Sequence, residues 1–219
     1  MSAHAAFNTE ALSALIEDAL KQEEKHHLLA NLIRHRLDDI SRIIRLPDND
    51  PVMHLCQYVV DYIRYLPAML NDLDTAATQT GMTAVTDPVI RAAQQFLLTP
   101  PAELEKETGL IALMDEAYLA FRLLEEVNES CIHRIGQPLI PLDMCLSNIM
   151  IHTLIGEPFA NELDAMVELR VERLFEKRRS YEDTAFGSFM QRLKSADVAH
   201  LGQRWSCFSS QLGCASALL

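Results

Sequence analysis

Apolar positions along the chain recur at spacings of three and four, seldom at two. With about 3.6 residues per turn, such positions fall on one face of an α-helix, so the pattern predicts helices nearly throughout and no strand. A first stripe runs through Leu12, Leu15, Ile16, Ala19 and Leu20, entered at Asn8 or Thr9, both able to cap a helix. It resumes at Leu29, Leu32, Ile33, Leu37, Ile40, Ile43 and Ile44 and ends before Pro47.

Between these halves lies "EEKHH", Glu23 to His27. Two readings are open. If the helix is continuous, Glu23 and His26 join the apolar face. If it breaks near Lys25, Gln22 to His27 form an exposed corner.

The turn "LPDNDP" closes this part, and Asp50 with Pro51 predicts the next helix start, since a proline at the first helical position sacrifices no hydrogen bond. That helix carries Val52, Leu55, Val59, Tyr62, Leu66, Leu70 and Leu73, with Pro67 inside it as a predicted kink. Thr86-Asp87-Pro88 predicts a shorter helix through Phe96 and Leu97, and a long one follows from about Leu110 to His133. Pro141 is read as the start of a helix ending at Gly156, and Phe159 as the start of a charged helix to about Arg179. A last stripe, Trp205, Phe208, Leu212, Ala215 and Leu219, implies docking of the C-terminal segment on its own domain or on a second copy. The predicted fold is an all-α, single-domain bundle of seven or eight helices in mostly antiparallel up-down packing. It covers residues 1–219, with a weak candidate boundary at 181–188.

Composition narrows the function classes. The chain has 219 residues, 49% of them hydrophobic, and a net charge of −12. An acidic surface opposes binding to phosphate backbones, so no nucleic-acid role is expected. No apolar run reaches the roughly 18 residues needed to cross a bilayer, and no signal-like start is visible, so a cytoplasmic protein away from membranes is expected. The cysteines Cys56, Cys131, Cys145, Cys207 and Cys214 are scattered without a Cys-x-x-Cys pair, and are read as small buried hydrophobes.

The candidate chemistry is a carboxylate–histidine set. Glu23 and His26 are three apart, a spacing at which a carboxylate and an imidazole on one helix can share a metal ion. Glu126 and His133 share a face of the long helix with Glu116, and Asp143 and His152 flank the stripe of the following one. Such ligands from facing helices would suit iron, manganese or zinc. Ferritin-like di-iron bundles carry a second Glu-x-x-His motif that this chain lacks, with Asp197-x-x-His200 as the nearest substitute. The segments "HHLLANLI" and "VVDYIRYLP" are similar to the opening helices of the hemerythrin bundle. That resemblance implies no shared oxygen site, because "AMLNDL" stands where its ligands would follow the proline.

"ELRVERLFEKRRS", Glu168 to Ser180, reads as a surface whose glutamates compensate its arginines. No nucleophile elbow, phosphate-binding loop or dinucleotide fingerprint occurs, and Tyr118, Phe121, Met144 and Met150 are read as core filling. The expectation is a non-enzymatic protein acting through self-association, as a homodimer, or through a protein partner. A metal-binding bundle built on Glu126, His133, His152, Asp143, Glu23 and His26 is the first alternative, and a small-molecule-binding helical sensor domain the second.

Overall fold

The computed structural model describes residues 9–81, 83–104, 108–135, 138–140 and 142–176. Among them are seven α-helices and one 3-10 turn, the all-α bundle that the periodicity predicts. They are α1 (Thr9–His26), α2 (Leu28–Ser41), α3 (Pro51–Thr80), α4 (Thr83–Leu98), α5 (Gly109–Ile135), α6 (Cys145–Ile155) and α7 (Phe159–Glu176). No helix among the described residues is long and apolar enough to cross a membrane. The 181–188 boundary, the Trp205 to Leu219 stripe, the Asp197–His200 pair, Cys207 and Cys214 lie outside the described residues.

The centre of the bundle is α5, which packs against α1, α3, α4, α6 and α7. Its residues from Leu113 to Phe121 are all buried, so this helix is enclosed on every side where the others bury one face. Tyr62 of α3 meets Phe121 of α5 with ring centroids 4.4 Å apart, a tilted pair that fixes these two helices against each other.

Two boundaries differ from the sequence reading, and a third decides between its two alternatives in favour of a break near Lys25. The break between α1 and α2 falls at His27, whose φ of 51° places it in the left-handed region. His27 offers no side-chain cap to α2. Glu23 of the preceding helix supplies one instead, its carboxylate accepting the N–H groups of Leu29 at 2.8 Å and Ala30 at 2.9 Å. These donors have no partner within their own helix, and a negative charge there is favoured by the helix dipole. Replacing Glu23 by alanine is expected to cost about 1 kcal/mol, the usual worth of a cap. Urea unfolding checks this, with Glu24→Ala as the control.

At α4 the helix begins at Thr83, and Pro88 lies inside it. The missing N–H costs that helix one early hydrogen bond, while buried Thr86, Val89 and Ile90 hold the turn in place. The helix predicted from Pro141 begins at Cys145, where Asp143 Oδ1 accepts the Cys145 N–H at 3.1 Å. The Asp50–Pro51 start of α3 is as predicted, with Asp50 Oδ1 accepting from Met53 N at 3.2 Å.

The segment before α6 is tied to α5 by buried Asn128. Its amide donates to the Ile140 carbonyl at 2.7 Å, and its oxygen accepts the Ile140 N–H at 2.8 Å. At the other end of α6, Gly156 adopts φ 85° and ψ 151°, a conformation essentially restricted to glycine. The Arg36 guanidinium of α2 lies where a side chain at that position would be. These two fixings set the placement of α6, and with it the site described next.

On α7, Glu168 and Glu172 are four apart and share one side of the helix, Arg170 is two positions from each and lies roughly opposite, and Arg173 is about 100° round from Glu172. Among the described residues neither arginine has an ion-pair partner, and Arg170 donates to the Gln95 side chain of α4. The remainder of that charged face, residues 177–180, lies outside the described residues.

Candidate functional site

On α5, Tyr118, Arg122, Glu125, Glu126 and Glu129 follow each other at spacings of four, three, one and three, so a helix brings all five toward one side. On α6, Cys145, Asn148, Ile149 and His152 do the same, and α7 contributes Asp164. Together these residues line a cleft of about 360 Å³ between the three helices.

Arg122 organises it. Its Nη1 donates to Glu125 Oε2 at 2.6 Å, its Nη2 to Glu126 Oε1 at 2.7 Å, and its Nε to Asp164 Oδ1 at 3.1 Å. One guanidinium thus joins three carboxylates from two helices, with only 18% of its side chain exposed. Burial by itself disfavours the charged form, but the Glu125 carboxylate and the hydrogen bonds to Glu125 and Asp164 outweigh it and hold the guanidinium well above its usual pKa.

The network continues into the core. Asn148 Nδ2 donates to Glu125 Oε2 at 2.6 Å, and the Tyr62 hydroxyl donates to Asn148 Oδ1 at 2.8 Å. Burial raises the Tyr62 phenol well above its usual value, so it remains a donor. On the other flank, the Tyr118 hydroxyl donates to Asp164 Oδ1 at 2.8 Å, and burial together with that bond to a carboxylate pushes its pKa up strongly.

His152 closes the cleft on the α6 side. Its Nε2 stands 3.5 Å from Asp164 Oδ2 and 3.2 Å from Asn161 Oδ1, and its ring meets that of Tyr118 edge-on at 6.1 Å. With two acceptors facing Nε2, that nitrogen carries the proton. Cys145 is exposed, unlike the buried Cys56 and Cys131. Partial desolvation of its sulfur beside the cleft, with Glu125 and Asp143 nearby, raises its pKa, which keeps it a thiol and a poor nucleophile.

No family model, curated protein or solved structure matches this chain. Its reading rests on geometry.

Of the six candidate ligands from the sequence, the structure brings two to this cleft, Glu126 and His152. Glu126 is engaged by Arg122 and His152 faces Asp164. Glu23 caps α2, His26 is exposed at the end of α1, His133 is exposed near the end of α5, and Asp143 starts α6. Among the described residues, no group of three or more His, Cys, Asp or Glu side chains is arranged to hold a metal ion. Glu116, placed by sequence on the same face as Glu126, is buried and does not line the cleft. Ten residues separate the two positions, which is about 80° short of whole turns at the helical repeat.

Sequence reasoning passed over Tyr118, Arg122, Glu125, Asn148 and Asp164. Tyr118 belongs to the core as predicted, being 1% exposed, yet its hydroxyl reaches Asp164. The signal that could have found the cluster is the polar series from Arg122 to Glu129, interrupting an otherwise apolar α5.

Proposed function

We propose that this chain is a helical ligand-binding protein whose α5–α6–α7 cleft takes an organic cation bearing N–H donors, an amine or a guanidine. The observation that carries this reading is the imbalance of charge in the cleft, where, among the described residues, Glu125, Glu126, Glu129 and Asp164 face one permanent cation, Arg122. Arg122 engages one oxygen each of Glu125, Glu126 and Asp164, and His152 faces the second oxygen of Asp164, which among the described residues leaves the second oxygens of Glu125 and Glu126 and both oxygens of Glu129 as acceptors. A positively charged donor satisfies them by charge-assisted hydrogen bonds. The cleft volume lies in the range of small-molecule sites, and Tyr118 and Ile149 supply apolar wall. The side chains are already fixed by their own network, so less ordering is needed on binding.

Calorimetric titration with agmatine and with spermidine tests the proposal. Saturable binding that weakens with salt is expected, and at least tenfold weaker binding in the Glu126→Gln/Glu129→Gln double variant, about 1.4 kcal/mol. Absence of binding by both cations, or equal affinity in the double variant, overturns it. Iron, manganese or zinc retained stoichiometrically by protein purified without chelator, and lost in Glu126→Ala and His152→Ala variants, would replace it with the metal-binding alternative.

A further inference from the structure

A second concavity lies across the bundle, between α4 and α7. Its floor is apolar, formed by Phe96 of α4, Pro101 beyond it, and Met166 and Leu169 of α7, and Arg170 and Arg173 stand in its wall. Among the described residues, no carboxylate lines it. This inverts the character of the molecule, whose net charge is −12. Arg170 is held by Gln95, and neither guanidinium has an ion-pair partner among the described residues. Leu169, which lines the groove, is 54% exposed, so its apolar part reaches the surface.

We infer that this groove is a docking surface for a partner protein, and that the segment it takes is an amphipathic helix with apolar anchors flanked by glutamates or aspartates. Charge complementarity selects the flanks. Arginine forms paired hydrogen bonds with carboxylates, and an interface rim of arginines in an acidic protein admits an acidic partner while the rest of the surface repels it. The shape selects a helix over a small molecule. Small ligands are held by enclosure of most of their surface, whereas an open groove between two helices with an apolar floor and an exposed leucine matches the helix-in-groove mode, read by anchors at i, i+3, i+4 and i+7. The groove is separate from the acidic cleft, sharing none of its lining residues.

The test uses the full chain and a fluorescein-labelled synthetic amphipathic helix with leucine and phenylalanine on one face and glutamates along both flanks. Its counterpart has lysine at every glutamate. Fluorescence anisotropy should show saturable, salt-sensitive binding of the acidic peptide, at least tenfold weaker with Arg170→Glu/Arg173→Glu, and weaker again at the apolar floor with Leu169→Asp. Circular dichroism melts confirm that both variants are folded. Equal binding of the lysine peptide, no binding of either, or binding unaffected by the variants overturns the inference. Light scattering that shows dimerisation abolished by the same variants also overturns it, assigning the groove to a second copy of the chain.

Discussion

Replacing Arg122 by methionine is expected to cost about 3–5 kcal/mol of folding free energy, the range for removing one partner from a largely buried ion cluster. Methionine matches much of the arginine stem in volume, so the loss is not one of packing. It comes from leaving Glu125, Glu126 and Asp164, the first only 13% exposed, without the cation that joins them. Three carboxylates on adjoining helices then repel one another where water screens them little. Lysine at this position keeps the charge but cannot reach three acceptors in three directions, so Arg122→Lys is expected to fall between methionine and the parent. Adding Glu125→Gln to the methionine variant removes one of the stranded charges and should recover part of the loss. Thermal melts of the three variants decide the matter: for a chain of this size the methionine change should lower the midpoint by on the order of 10 °C. A methionine variant melting within about 2 °C of the parent would show that the cluster contributes nothing net.

The second large effect concerns Glu116, a carboxyl buried in α5 with its pKa raised from 4.5 to about 7 by desolvation. A carboxyl that titrates higher in the folded than in the unfolded chain binds more protons when folded, so folding weakens as pH rises. Below pH 4.5 both states are protonated and there is no penalty. The penalty grows between pH 4.5 and about 7, and above that it is complete. It amounts to roughly 3–4 kcal/mol at about 1.4 kcal/mol per pH unit. Glutamine keeps the shape and cannot ionise. Glu116→Gln should therefore be more stable than the parent by this amount at pH 8, and nearly equal to it at pH 4. Urea unfolding at both values measures the difference. Parallel stability profiles for the two proteins would mean that Glu116 is neutral or solvated at neither pH differently from the unfolded chain.

These two positions illustrate what local pattern conveys. Glu116 and Glu126 look alike in sequence, each a glutamate in an apolar helix. One is buried in the enclosed middle of α5, and the other is held by Arg122 at the rim of a cleft. The difference lies in which neighbours cover each face, and α5 alone carries no record of them. Asp164 is harder still, since nothing in "NELDAM" distinguishes it from a surface aspartate until α7 crosses α5 beside Tyr118. The pair Glu23 and His26 had helix-face spacing suited to a shared ion, but the left-handed turn at His27 frees Glu23 to bind backbone N–H groups instead.

By itself the sequence determined the helical class, the extent of α5, the Asp50–Pro51 start of α3 and the Gly156 stop of α6. These are consequences of periodicity and backbone stereochemistry, which act over a few residues. Tertiary structure alone decided that Arg122 would gather carboxylates from two helices and that α7 would turn its arginines toward an apolar groove. Each of these depends on burial and electrostatic pairing between residues far apart in the chain, where spacing along one helix carries no information.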